Sequence, residues 1–268
     1  IRNKSDIDNL HDNGFILLKN VLESSQIEKI KKIIISNPEG KGVPENIYST
    51  SFKSFLMKSI KVEFKKIINS LYFLHLKNQL KLDSYTSTFF NQKSKISQID
   101  GYHNQKQESE ILPWHCDQSY SGAKIVKKIK SPDDFGLKFF FYLTNVGPGN
   151  GCTSYIPGSH KIAYAVRSCM YEKKIEYQPY WSINDFVNLV NKKKYYPLIV
   201  DKLDSQEILN EFLQKAQNVI LNKKTDLFDF SALPGDVLIF NEGGFHKGSK
   251  PTKNRRVVLR YIYKKILK

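Results

Sequence analysis

His115 and Asp117 stand two residues apart in Leu112-Pro113-Trp114-His115-Cys116-Asp117-Gln118-Ser119-Tyr120. Residues i and i+2 of a strand project from one face, so an imidazole and a carboxylate at this spacing can bind a single metal ion. Alone the pair is a weak signal, because His-x-Asp is frequent by chance and an exposed Asp beside a packed His is the usual outcome. A distant segment changes the balance. Pro234-Gly235-Asp236-Val237-Leu238-Ile239-Phe240-Asn241-Glu242-Gly243-Gly244-Phe245-His246-Lys247-Gly248 reads as a turn, a buried strand, a glycine-rich turn and a histidine opening the next strand. Arg255 and Arg256 follow about ten residues past His246. Two histidines and one carboxylate leave positions open on non-haem Fe(II) for a co-substrate and O2. The expected metal ligands are therefore His115, Asp117 and His246.

Three blocks, in order, resemble the phytanoyl-CoA dioxygenase-like branch of the Fe(II)/2-oxoglutarate-dependent oxygenases. Trp114-His115-Cys116-Asp117-Gln118 is similar to that family's W-H-x-D-Q stretch. Asn150-Gly151-Cys152-Thr153-Ser154-Tyr155-Ile156-Pro157-Gly158-Ser159-His160-Lys161 resembles its N-G-x-x-x-x-(V/I)-P-G-S-H-K segment, and Phe245-His246-Lys247-Gly248 is the third block. The resemblance implies a double-stranded β-helix, a jelly roll of the cupin type with a mainly β core, flanked by helices. It implies that His115, Asp117 and His246 hold one Fe(II), that 2-oxoglutarate chelates the metal, and that an arginine meets its far carboxylate. The implied reaction consumes O2, releases succinate and CO2, and hydroxylates an unactivated C–H of a small molecule, or carries out a related desaturation or cyclisation. Halogenating relatives carry Gly or Ala at the carboxylate position, so Asp117 speaks for oxygen transfer. His160 sits in a turn motif that relatives carry beside the iron without ligating it.

The arginine is ambiguous from the residues. Strand alternation groups Arg255 with Val257, Leu259 and Tyr261, and Arg256 with Val258 and Arg260. The family's arginine lies ten or eleven residues past the distal histidine, which favours Arg256 as the 2-oxoglutarate partner. Arg255 is the reserve.

Near the start of the chain, Asp12-Asn13-Gly14 marks a turn and Phe15-Ile16-Leu17-Leu18 a buried strand. Ser24 or Ser25 is expected to cap a helix carrying Ile27, Ile30, Ile33 and Ile34, ended by Pro38 and Gly40. Residues 51–78 read as one or two amphipathic helices, with His75 a packed or surface residue. From Tyr85 to Tyr102, β-branched and aromatic residues favour strands, and Tyr102, His103 and Asn104 are the nearest candidates to line a pocket. Gly122 to Ser131 reads as a basic loop, and Phe135 to Thr144 as a central strand buried on both faces. One domain over 1–268 is expected, with bracing helices at about 20–80 and a helical insertion at about 161–231. In the insertion, Ile183 to Asn191 and Ser205 to Leu221 read as helices, Ser205 being a cap. Tyr177, Tyr180, Trp181 and Phe186 suit a substrate wall or a core equally.

At 40% apolar and 13% aromatic residues the chain is no disordered segment, and no apolar run reaches the ~20 residues that span a bilayer. Cys116, Cys152 and Cys169, odd in number and without C-x-x-C spacing, argue against a disulfide framework and a zinc site, and a reducing cytoplasm is the expected setting. The net charge of +16 comes from lysines spread along the chain, which reads as a solvated basic surface and not as a nucleic-acid footprint. Nothing in the sequence sets an oligomeric state. A metal-dependent isomerase or hydrolase on the same barrel is opposed by the arginine beyond His246, and a non-catalytic binding module by the intact ligand set.

Overall fold

A computed structural model describes residues 4–36, 64–117, 128–178, 180–221 and 228–266. Within them two antiparallel sheets form a jelly-roll core. The larger has the order β1 (Phe15–Leu18), β6 (Val237–Asn241), β4 (Leu137–Tyr142), β8 (Arg256–Lys265), β2 (Ser94–Asn104). The smaller is β3 (Leu112–His115), β7 (His246–Gly248), β5 (Thr153–Tyr155). Tyr102, Phe140, Tyr142, Phe240 and Val258 of the larger sheet pack with Tyr155 of the smaller, filling the space between them. Every residue of β4 is buried, as its nearly unbroken apolar run requires.

The outer face of the larger sheet is apolar as well, because helices cover it. Ile27, Ile30 and Ile34 of α2 (Ser24–Ile35), Phe73 and Leu76 of α3 (Phe64–Gln79), and Leu82, Tyr85 and Phe89 of α4 (Leu82–Phe89) pack on Phe139, Val257, Leu259 and Tyr261. Each large apolar side chain buried this way contributes roughly 1.5–3 kcal/mol. Polar ends fix the docking: the Tyr261 hydroxyl donates to the Phe73 carbonyl at 2.8 Å and the Tyr263 hydroxyl to Asp83 at 2.7 Å.

Local expectations shift in three places. The first helix, α1 (Lys4–Asn13), takes in Asp12 and Asn13, where a turn was anticipated, and Gly14 ends it with its N–H on the Leu10 carbonyl at 2.9 Å. The cap of α2 is Glu23, whose backbone N–H donates to Gln26 at 3.0 Å, so Ser24 and Ser25 lie inside the helix. The span from Tyr85 opens as helix α4, and the strand starts only at Ser94. There the stripe Leu82, Tyr85, Thr86, Phe89 buries one helical face, which outweighs the β preference of Tyr, Thr and Phe. Pro38, Gly40 and the front of the 51–78 stretch lie outside the described residues, as do residues 122–127 of the basic loop.

Between β5 and β6 come α5 (Ser159–Tyr171), α6 (Ile183–Val190), α7 (Tyr196–Leu203) and α8 (Gln206–Leu221). Ser205 does cap α8, accepting from the Ile208 N–H at 3.3 Å. These helices bury a second core with Trp114, Cys116 and Phe245 on the far side of the smaller sheet. Cys116, Cys152 and Cys169 are free and buried. Among the described residues no helix is long and apolar enough to cross a membrane.

Candidate metal centre

Antiparallel pairing of β3 with β7 sets His115 directly opposite His246, and pairing of β7 with β5 sets Tyr155 on the other side of His246. The two imidazoles therefore stand with ring centroids 4.3 Å apart. Strand β3 ends at His115, so Asp117 does not share a strand face with it, contrary to the simple i, i+2 picture. Asp117 lies just beyond the strand end, its carboxylate 3.7 Å from His115 Nε2 and 3.2 Å from His246 Nε2. One donor atom from each of the three residues falls within 4.8 Å of the others. Ligands about 2.1 Å from one octahedral ion sit about 3 Å apart, so this set fits a common metal.

The proton positions follow from the backbone. His115 Nδ1 is 2.6 Å from the Pro113 carbonyl and His246 Nδ1 is 3.0 Å from the Gly244 carbonyl. A carbonyl only accepts, so Nδ1 carries the proton in each neutral ring and both Nε2 lone pairs face Asp117. Burial, with His115 alongside, lowers the His246 pKa to about 4, which keeps the ring neutral and able to ligate. Burial would raise the Asp117 carboxyl, but the Lys138 ammonium, first among the groups around it, outweighs burial and helps hold it well below the usual carboxylate range.

The glycine-rich turn that aims His246 is held by the P-G-S-H motif. Ser159 Oγ accepts the Phe245 N–H at 2.8 Å, and the Tyr155 hydroxyl donates to the Asn241 carbonyl at 3.0 Å. A Cβ on Gly244 would stand 1.9 Å from that hydroxyl, so the approach is possible only for glycine. The other arm is clamped likewise: Cys116 N–H donates to the Trp181 carbonyl at 3.1 Å, and Cys116 Sγ to the Gly243 carbonyl at 3.2 Å.

Beside the triad is a cavity of about 210 Å³ lined in part by Tyr102, Phe140, Thr153, Lys138, Arg256 and Arg260. Arg256 is 2% exposed. Its Nη2 donates to Thr153 Oγ1 at 3.2 Å, and its guanidinium lies 5.4 Å from the Tyr102 ring and 5.8 Å from that of Phe140. Its Nε is buried without a hydrogen-bond partner, and among the described residues no carboxylate pairs with it. A buried cation lacking a counter-charge is costly, and a carboxylate ligand is the matching anion. Arg260, four residues on, is already neutralised by Asp100, which its Nε meets at 2.8 Å. Arg255 instead donates to Gln105 at 3.1 Å, and its strand-mates Val257, Leu259 and Tyr261 face the helices. The alternation that would have selected it tracks the outer face of the sheet.

Of the other residues singled out, Tyr102 lines the cavity, whereas His103 is buried on the helix-facing side of β2 beside Val257. His160 lies in the first turn of α5 and not in a turn, with Nε2 on the His11 carbonyl at 3.1 Å. His75 is exposed. Tyr180 and Phe186 belong to the helical core, Tyr177 is exposed, and the Trp181 ring lies 5.4 Å from that of His115. Sequence reasoning passed over Lys138, which is 5% exposed and touches the Asp117 carboxylate. Its signal was present: it is the lone charged residue in the apolar run from Phe135 to Thr144.

Known proteins share this fold. The family model described as phytanoyl-CoA dioxygenase matches residues 10–257. Among solved structures, HygX from Streptomyces hygroscopicus, crystallised with nickel and 2-oxoglutarate, superposes with a TM-score of 0.59 at 14% identity, over 100% of this chain and 88% of that one. The non-heme alpha ketoglutarate dependent carbocyclase SnoK from nogalamycin biosynthesis gives 0.55 at 11% identity, over 98% and 84%. The epimerase SnoN, in complex with Fe3+, alpha ketoglutarate and nogalamycin RO, gives 0.55 at 10%, over 98% and 83%. A search of curated protein sequences finds no match.

Proposed function

The chain belongs to the phytanoyl-CoA dioxygenase family, and from that premise we propose that it hydroxylates an unactivated C–H of a small molecule, with His115, Asp117 and His246 as iron ligands and Arg256 as the 2-oxoglutarate anchor. Fe(II) is the cofactor and 2-oxoglutarate the co-substrate. The observation that carries the residue assignment is the convergence of the three donor atoms beside a buried guanidinium that no carboxylate pairs with among the described residues. When bound, the metal with 2-oxoglutarate and O2 supplies oxidative decarboxylation to succinate and CO2 and the oxidising power for the C–H bond.

The residues contribute position and charge. His115 and His246 present neutral Nε2 lone pairs because their Nδ1 protons are spent on the Pro113 and Gly244 carbonyls. Asp117 stays ionised and offsets part of the cation's charge. Arg256, set by Thr153 and flanked by Tyr102 and Phe140, presents a fixed fork to the far carboxylate in a site that excludes bulk water.

The test measures succinate formed from 2-oxoglutarate against panels of small acids, amino acids and acyl-CoA thioesters, under 18O2. Stimulation by one class, with one labelled oxygen in succinate and one in the product, is the expected result. A product free of label, with succinate still formed, would replace hydroxylation by cyclisation, desaturation or epimerisation. His246→Ala is expected to lose both metal and turnover, and wild-type-like iron content in that variant would overturn the ligand assignment.

A further inference from the structure

Four cationic side chains line the cavity: Lys138, Lys247, Arg256 and Arg260. Arg260 is matched by Asp100, and Lys247 lies 3.7 Å from the buried Asp229. Arg256 awaits the far carboxylate of 2-oxoglutarate. Among the described residues Lys138 pairs with one carboxylate, Asp117, and that group's charge is shared with the metal once the site is loaded. The Lys138 ammonium then stands beside a divalent cation. Like charges this close in a partly buried setting repel strongly, and a charge of +2 doubles the repulsion. The ammonium cannot leave easily, since Lys138 is 5% exposed, rises from the centre of the sheet and lies 5.9 Å from the face of the Phe240 ring. A second cation, Lys264, lies in the same corner and is paired with Glu242.

We propose that in the loaded enzyme Lys138 binds an anionic oxygen group, a carboxylate or its equivalent, beside the metal. Two sources have that chemistry: the metal-chelating carboxylate of 2-oxoglutarate, and an acidic group of the substrate. The inference rests on the assignment of Asp117 to the metal. It adds a specificity element to the site, a fixed cation that selects acids over their neutral amides and esters. Lys138 stands in an otherwise apolar strand, where a residue that served only packing would be apolar too.

The experiment uses the full chain loaded with Co(II), in wild type, Lys138→Met and Lys138→Arg. Co(II) affinity is read first by calorimetry, then 2-oxoglutarate affinity, then the change in the Co(II) visible spectrum when acetate or inorganic phosphate is added to the 2-oxoglutarate complex. Lys138→Met is expected to bind Co(II) at least as tightly as wild type, because a repelling charge is gone. A residue with a merely structural role would weaken metal binding instead. If the co-substrate is the source, 2-oxoglutarate affinity falls on the order of thirtyfold or more in Lys138→Met and recovers in part in Lys138→Arg. If the substrate is the source, 2-oxoglutarate affinity holds, and the spectral response to acetate or phosphate disappears in Lys138→Met alone. Unchanged 2-oxoglutarate affinity together with an unchanged or absent anion response in all three proteins overturns the proposal. A wild-type protein that binds no Co(II) overturns the metal assignment instead, so the two failures are told apart.

Discussion

Replacing Arg256 by Met is expected to weaken 2-oxoglutarate binding while stabilising the empty protein. The guanidinium is 2% exposed, has an unpartnered Nε, and no carboxylate pairs with it among the described residues. Burial in this state disfavours the empty protein, and exchanging a buried charge for a well-packed apolar chain typically changes stability by about 1–4 kcal/mol in favour of the variant. Thr153 keeps its bond from the Tyr142 hydroxyl at 2.8 Å, so the substitution strands no new polar atom there. In the loaded protein the same change removes a buried, charge-assisted contact worth on the order of 2–5 kcal/mol, or roughly thirtyfold to several-thousandfold in affinity. Arg255→Met is the control. Arg255 bonds to Gln105 at 3.1 Å near the surface, where substitutions stay within about 0.5 kcal/mol. The assays are calorimetric titration of 2-oxoglutarate into the Ni(II)-loaded protein and urea unfolding of the metal-free protein. Equal 2-oxoglutarate affinity in wild type and Arg256→Met, or a larger loss in Arg255→Met, refutes the assignment. A destabilised empty Arg256→Met protein refutes the electrostatic reasoning behind it.

Three further outcomes are expected. Ser159→Ala leaves the buried Phe245 N–H without its acceptor, at a cost of about 1–3 kcal/mol, and Gly244→Ala forces a Cβ onto the Tyr155 hydroxyl, costing about 1–3 kcal/mol or more; both should lower Ni(II) affinity by slackening the turn before His246, which titration will show. Burial holds His160 neutral, with its pKa lowered from 6.5 to about 4, so its contribution is complete above the unfolded value and is lost as pH falls from there toward 4, a loss on the order of 3 kcal/mol that His160→Gln should remove from the acid limb of a stability curve. If the +16 charge only solvates the surface, duplex DNA binding should vanish by ~150 mM salt in a filter or anisotropy assay, and sub-micromolar sequence-dependent binding there would contradict that reading.

The chemistry of this protein is legible in its sequence because metal ligation is local in composition. His115, Asp117 and His246 are the residue types a non-haem iron needs, and the glycines before His246 announce a tight approach. The buried strand from Leu137 to Tyr142 and the isoleucine stripe of α2 are equally plain, since burial on both faces and on one helical face leave periods of their own. Residues 82–89 are not, because Tyr, Thr and Phe fit a strand or a helix, and only the surface they pack against decides between them.

What the tertiary structure alone decided is which face of each strand is the inside. Alternation divides β8 into two sets, yet both are apolar enough to be buried; the covering helices turn Val257, Leu259 and Tyr261 outward and so point Arg256 and Arg260 at the cavity, with Val258 in the inner core between the sheets. The same holds for Lys138. In the sequence it is an interruption in an apolar run; facing the end of β3 in the other sheet, it becomes the charge against which Asp117 is set. Pairing between strands distant along the chain places these groups, and no local pattern encodes the register that brings His115 opposite His246.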